Sequence, residues 1–161
     1  MAPFSYNWLV DYETGIELPT QVSDVWTPSS NEASNVSTLV HYCRNHARGK
    51  TAQLPAFTHV IGEPGEHERL SFRQLDARAR AIAAEIQLRG GVGKPVLVVL
   101  DPGADYAASL FGCLYARAIA VPIYPPQMLR LQHTLPRLKA IIENAGAKIM
   151  LSDRATIGDS V

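Results

Sequence analysis

Five consecutive apolar residues, Val96-Leu97-Val98-Val99-Leu100, follow Pro95 and stand between two segments with helical periodicity. A strand with one face in water alternates apolar and polar side chains. A strand apolar on both faces has to be covered on both, as in a parallel sheet flanked by helices. The run is far short of the roughly 20 residues that a membrane span needs. It predicts a sheet strand, and the rest of the chain has to supply its cover.

The segment before it does so. Ser71-Phe72-Arg73-Gln74 has capping-box spacing, with Ser71 at the cap and Gln74 able to reach back. The helix it opens carries Leu75, Ala79, Ile82 and Ile86 on one face and Arg73, Arg78, Arg80 and Arg89 mostly on others, and Gly90-Gly91 ends it. After the central strand, residues 105–116 form a small-residue helix. Ala107, Ala108, Gly112 and Ala116 allow close packing, while Leu110, Phe111 and Leu114 fill space. Ala120-Val121-Pro122-Ile123 is a short strand running into Tyr124-Pro125-Pro126. A last helix over about residues 135–144 buries Leu138, Ile141 and Ile142 and stops at Gly146, and Lys148-Ile149-Met150-Leu151 is one more strand. Towards the N-terminus, residues 38–48 read as a helix with Leu39, Val40 and Cys43 on one face and Ser37 as N-cap. Ala56 to Val60 reads as a strand, followed by a Gly- and Glu-rich turn from Gly62 to Glu68. Strands alternating with helices predict an α/β fold, a doubly wound and mostly parallel sheet layer with helices on both faces.

Charge divides the chain in two. Asp11, Glu13, Glu17, Asp24 and Glu32 lie in the first 40 residues, which contain no Lys or Arg, so all 15 bases follow them. Residues 1–36 form an acidic, aromatic-rich extension and linker that holds both tryptophans, Trp8 and Trp26; residues 37–161 form the α/β subdomain. Aromatic content of this kind points to a leader that docks on the basic body or on a partner, the alternative being a mobile extension. The overall balance of 15 bases and 15 acids gives no basic footprint for nucleic acid. With no basic, apolar start and no early arginines, a cytoplasmic protein is expected. Cys43 and Cys113 fit packed thiols in a reducing compartment.

Several motifs weigh less than they look. Gly90-Gly91-Val92-Gly93-Lys94 has the glycines of a phosphate loop, but a helix precedes it and a strand follows, and Pro95 stands where Ser or Thr would ligate magnesium. His41, Cys43 and His46 are not spaced to share a metal on one helical face. Ligands of open α/β sheets bind at the carboxyl ends of the strands, which marks Asp101, Tyr124, Ser152 and Asp153 as positions of interest. Asp101 and Asp105 are expected to shape a turn and cap a helix.

The residues carry a resemblance. Thr38-Leu39-Val40, Ala56-Phe57-Thr58 and the run from Leu70-Ser71-Phe72-Arg73-Gln74-Leu75 to Ala83 are similar to the N-terminal end of adenylate-forming enzymes. Phe111-Gly112-Cys113-Leu114-Tyr115-Ala116 followed by Ala120-Val121-Pro122-Ile123-Tyr124-Pro125-Pro126 resembles the fatty acyl-AMP ligases, and the likeness covers residues 37–161. It implies a parent enzyme that joins a fatty acid to ATP with Mg2+, giving acyl-AMP and pyrophosphate. That enzyme then hands the acyl group to an acyl carrier protein of a polyketide or nonribosomal peptide pathway. The family's nucleotide loop, metal glutamate, ribose aspartate and mobile-lobe lysine have no counterpart in these residues. No catalytic, cofactor-binding or metal-binding residue is therefore assigned, and the chain alone is expected to be inactive. Its implied partners are a carrier protein and the remaining lobes of the enzyme, with self-association through exposed apolar surface. The alternative is a free-standing, non-catalytic interaction module built on the same layer. One departure stands out: the family has Gly after the Tyr-Ala pair, where this chain has Arg117. Either the helix runs on to Ala118 or Arg117 takes a left-handed conformation at a cost of roughly 1 kcal/mol.

Overall fold

A computed structural model describes residues 9–11, 38–62, 66–126 and 131–153, without the side chains of 9–11 and 131–134. The elements run β1 (Leu9–Asp11), α1 (Leu39–Arg48), β2 (Pro55–Val60), β3 (His67–Ser71), α2 (Phe72–Leu88), β4 (Pro95–Val99), α3 (Ala104–Tyr115), β5 (Ile119–Ile123), α4 (Leu131–Ala145) and β6 (Ile149–Ser152). The main sheet has the order β1-β6-β4-β5. Strands β6, β4 and β5 are parallel, with Val96 facing Ile149 on one side and Ala120 on the other. The α/β layer read from the sequence is therefore present.

Strand β4 is central and its residues from Val96 to Val99 are buried, as a doubly covered strand requires. Val96 and Val98 face the cluster formed with α2 and α3, while Leu97 and Val99 face Ile142 and Leu138 of α4. The alternating side chains of one strand thus serve two cores. Helix α2 buries Leu75, Ala79, Ile82 and Ile86 as its periodicity predicts, and its capping box forms with Ser71 N–H donating to Gln74 Oε1 at 2.9 Å. Gly112 is the point of closest approach between α2 and α3: a Cβ there would lie 2.5 Å from Ile82 Cγ2.

Edge strand β5 carries Pro122 without losing a ladder bond. Ile119 N–H donates to the Lys94 carbonyl at 2.9 Å, so Val121 and Ile123 also point their N–H groups towards β4, whereas Ala120 and Pro122 face the open edge. The missing N–H of proline falls on the side where, among the described residues, no partner strand stands.

Several expectations need correction. The N-cap of α1 is Thr38, whose Oγ1 accepts from His41 N–H at 3.2 Å; Ser37 lies outside the described residues. The buried face of α1 is Cys43 and Ala47, with Val40 partly covered, and Leu39, in the first turn, is two-thirds exposed. Strands β2 and β3 do not join the main sheet; they pair antiparallel as a separate hairpin. Helix α4 starts at Leu131, ahead of the expected 135, and includes Pro136, whose ring nitrogen has no hydrogen to offer the carbonyl one turn back. Strand β1, inside the segment read as an extension, pairs antiparallel with β6, Leu9 facing Leu151 and Asp11 facing Ile149.

Arg117 resolves the choice left open by the missing glycine. Helix α3 stops at Tyr115 and Arg117 takes φ +58°, the one positive φ of a non-glycine residue among those described. Its carbonyl accepts from Gly93 N–H at 2.9 Å, and Ala118 N–H returns to the Cys113 carbonyl at 2.9 Å. Two backbone bonds hold the strained turn in place.

Candidate functional site

The carboxyl ends of β4 and β5 open onto an apolar cleft of about 230 Å³ lined by Leu100, Pro102, Tyr106, Pro122, Ile123 and Tyr124. Tyr124, one of the positions of interest, forms its rim and is 81% exposed. The local sequence explains the cleft. Pro102 turns the chain out of β4, Pro122 adds a rigid wall on β5, and Tyr106, in the first turns of α3, closes one side.

Beside the cleft lies a polar node that the sequence did not assemble. Helix α3 begins after Gly103, which has no side chain to cap it. Glu68 of β3 takes that part, its Oε2 accepting from Ala104 N–H at 3.2 Å. A carboxylate at a helix N-terminus satisfies an orphan donor and complements the helix dipole. The expectation that Asp101 and Asp105 would cap this helix is therefore corrected: the cap comes from a residue 36 positions upstream. Asp105 turns instead to Arg78 of α2, whose Nη1 donates to its Oδ1 at 3.0 Å. Partial desolvation lifts the Asp105 carboxyl above the usual range, Arg78 opposes this, and Glu68 and Asp153 add to the lift. Asp105 is thus paired with Arg78 and feels the charges of Glu68 and Asp153.

Of the remaining positions, Asp101 is exposed at the turn after β4, and Asp153 is partly buried at the end of β6. Ser152 is fully buried opposite Val99, on the α4 face of the sheet, with no hydrogen-bond partner for its Oγ among the described residues. The structure brings Asp153 towards Asp105 and sets Tyr124 on the cleft, but it does not bring Ser152 into the polar node. Glu68, Arg78 and Tyr106 were missed. Their placement depends on how the hairpin and two helices meet, and no local spacing signals it.

The residues weighed as motifs have structural roles. His46 Nδ1 lies 2.8 Å from Thr51 Oγ1 and its ring stacks on Phe72 at 4.6 Å, while Cys43 is buried against Tyr115. Gly90 and Gly93 take φ +68° and +70°, and a Cβ on Gly91 would lie 2.6 Å from Ile86 Cγ2. This glycine run shapes the entry to β4. Among the described residues no group of three His, Cys, Asp or Glu side chains converges to hold a metal ion. None of the described helices is long and apolar enough to cross a membrane.

A parallel layer with an apolar cleft at its strand carboxyl ends defines a class of α/β proteins that bind ligands at this edge. Known proteins narrow the class. The AMP-binding enzyme family matches residues 44–160, and the chain belongs to that family. It is 38% identical over 117 residues to the medium-chain-fatty-acid–acyl-carrier-protein ligase JamA of Moorena producens, covering 73% of this chain and 20% of that protein. It is also 38% identical over 98 residues to Disco-interacting protein 2 of Drosophila melanogaster, covering 60% of this chain and 6% of that one. The crystal structure of a fatty acid AMP ligase from Legionella pneumophila matches with a TM-score of 0.65 and 34% identity over 73% of this chain and 20% of that chain. The resemblance to fatty acyl-AMP ligases read from the residues is therefore shown. The chain spans about a fifth or less of the length of these relatives.

Proposed function

We propose that residues 37–161 form the first α/β layer of the large lobe of a fatty acyl-AMP ligase. The enzyme joins a fatty acid carboxylate to the α-phosphate of ATP, releases pyrophosphate, and passes the acyl group to the phosphopantetheine thiol of an acyl carrier protein. The observation that carries this reading is the agreement of sequence and fold with the Legionella fatty acid AMP ligase, and of sequence with JamA, each over 73% of the chain.

Magnesium, when bound, offsets the negative charge that develops on the phosphates. The described residues offer no convergent ligand set for it. What this chain contributes is support. Strand β4, clamped between two cores, fixes the cleft lined by Leu100, Tyr106 and Pro122, and the Glu68 and Arg78 contacts hold α3 beside it. The compartment proposed is the cytoplasm and the pathway proposed is polyketide or nonribosomal peptide assembly, the carrier-protein ligase JamA being the relative that supports a carrier partner. Leu135, Pro136, Leu138 and Ile142 of α4 line a second apolar hollow of about 480 Å³. Surface of this kind supports self-association of the isolated chain.

A chimera tests the reading. Residues 38–153 replace the matching segment of a full-length fatty acyl-AMP ligase, and fatty-acid-dependent ATP–pyrophosphate exchange is measured. The chimera is expected to retain exchange while the 161-residue chain alone shows none. A folded, soluble chimera without exchange, or exchange by the chain alone, overturns it.

A further inference from the structure

The sheet is electrically polarised along its strands. Asp101, Asp105 and Asp153 lie at the carboxyl ends, whereas the strand starts are basic: Lys94 precedes β4, Arg117 lies two residues before β5, and Lys148 precedes β6. Register brings these three together. Gly93 N–H donates to the Arg117 carbonyl and Ile119 N–H to the Lys94 carbonyl, both at 2.9 Å, and Ile149 faces Val96 across the ladder. Neighbouring parallel strands lie about 4.8 Å apart, so the three bases occupy one short edge, and all three are exposed. Arg89 stands behind them at the end of α2, where its guanidinium meets Glu85 at 3.5 Å, and the Lys94 ammonium lies over Gly90.

Strand β1 leads the acidic part of the chain to this edge. It runs antiparallel to β6, so its last residue, Asp11, stands opposite Ile149, next in sequence to Lys148. The chain therefore leaves β1 at the basic end of the sheet, and its next charged residues are Glu13, Glu17 and Asp24, with no Lys or Arg before Arg44. We propose that the edge formed by Lys94, Arg117 and Lys148 is the docking surface for the chain's own acidic segment after β1. The sign of charge fits an acidic occupant, and the point of departure at Asp11 selects the chain's own segment over a separate acidic partner.

The two tryptophans, Trp8 and Trp26, lie on either side of this acidic run. With Trp8→Phe, Trp26 becomes the sole tryptophan reporter, and its fluorescence anisotropy in the full chain reads whether the segment moves with the body. At about 0.01 M salt the screening length is about 30 Å and at 1 M about 3 Å. Anisotropy is expected to be high at low salt and to fall by at least a third at high salt. Lys94→Glu with Lys148→Glu should give the low value at every salt concentration, and Glu13→Gln with Glu17→Gln should do the same without touching the folded layer. An excess of a separate acidic peptide should lower the low-salt value of the parent chain. Anisotropy indifferent to salt and to the leader variants, with circular dichroism unchanged, overturns the proposal. So does a value that responds to salt but not to Lys94 and Lys148.

Discussion

The Tyr115 hydroxyl donates to Asp76 Oδ1 at 2.8 Å, a buried hydrogen bond that fastens α3 to α2 across 39 residues of sequence. Asp76 is 5% exposed and meets Arg80 at 3.0 Å on its other oxygen, so the carboxylate is paired on both sides. Burial, then the nearby Cys43 and Asp76, push the Tyr115 hydroxyl far above its ordinary range. Tyr115→Phe leaves one carboxylate oxygen of Asp76 buried without this donor. The expected loss is about 2 kcal/mol, the scale for a hydrogen bond to a charged group, read as a lower urea midpoint with unchanged slope.

Gly112 allows α2 and α3 to touch. A methyl group there meets Ile82 Cγ2 at 2.5 Å and Ile82 Cβ at 2.7 Å, and neither atom is the far end of a flexible chain. Gly112→Ala should therefore destabilise the protein by about 1–3 kcal/mol through overpacking, although alanine is the better helix former. Thermal melting that shows a gain would refute the close approach.

Arg117 carries the strain of φ +58° in the turn between α3 and β5. Arg117→Gly should stabilise the chain by about 1 kcal/mol, a rise of roughly 3 °C in melting temperature for a domain of this size. The same variant removes one charge from the basic edge, so Arg117→Gln, which removes the charge but keeps the strain, separates the two effects.

Glu68 caps α3 from the neighbouring hairpin. Glu68→Ala should cost about 1 kcal/mol, the scale of a lost N-cap, and should speed amide exchange in the first turn of α3. Glu68→Gln keeps an acceptor oxygen and should recover part of the loss. Equal exchange rates in all three proteins would show that the contact contributes nothing.

Cys113 is fully buried, and desolvation raises its thiol from 9.0 to about 12. The folded state thus favours the neutral thiol. That contribution is fully present below pH 9 and is lost as pH rises towards 12, at up to about 1.4 kcal/mol per pH unit. Urea midpoints measured from pH 8 to pH 11 should fall more steeply for the parent chain than for Cys113→Ala, and parallel curves would contradict this.

Much of the layer was legible because its signals are local. The apolar run of β4, the spacing of Leu75, Ala79, Ile82 and Ile86, and the Ser71–Gln74 capping box each lie within one helix or strand. The candidate site was not legible to the same degree. The strand ends pointed to Tyr124 and Asp153, but Glu68 reaches Ala104 over 36 positions and Arg78 reaches Asp105 over 27. The role expected of Asp105 as a cap followed from its position near the helix start, and Glu68 displaced it because the hairpin folds back over that end.

Sequence alone determined the four helices and the strands β2, β4, β5 and β6, and that β4 must be covered on both faces, because periodicity and burial demand act over a few neighbouring residues. Only tertiary structure decided that β2 and β3 stand apart as a hairpin, that Asp11 arrives beside the start of β6, and that Tyr115 finds Asp76. Such pairings depend on how packed elements are stacked and turned against one another, and chain spacing carries no record of that.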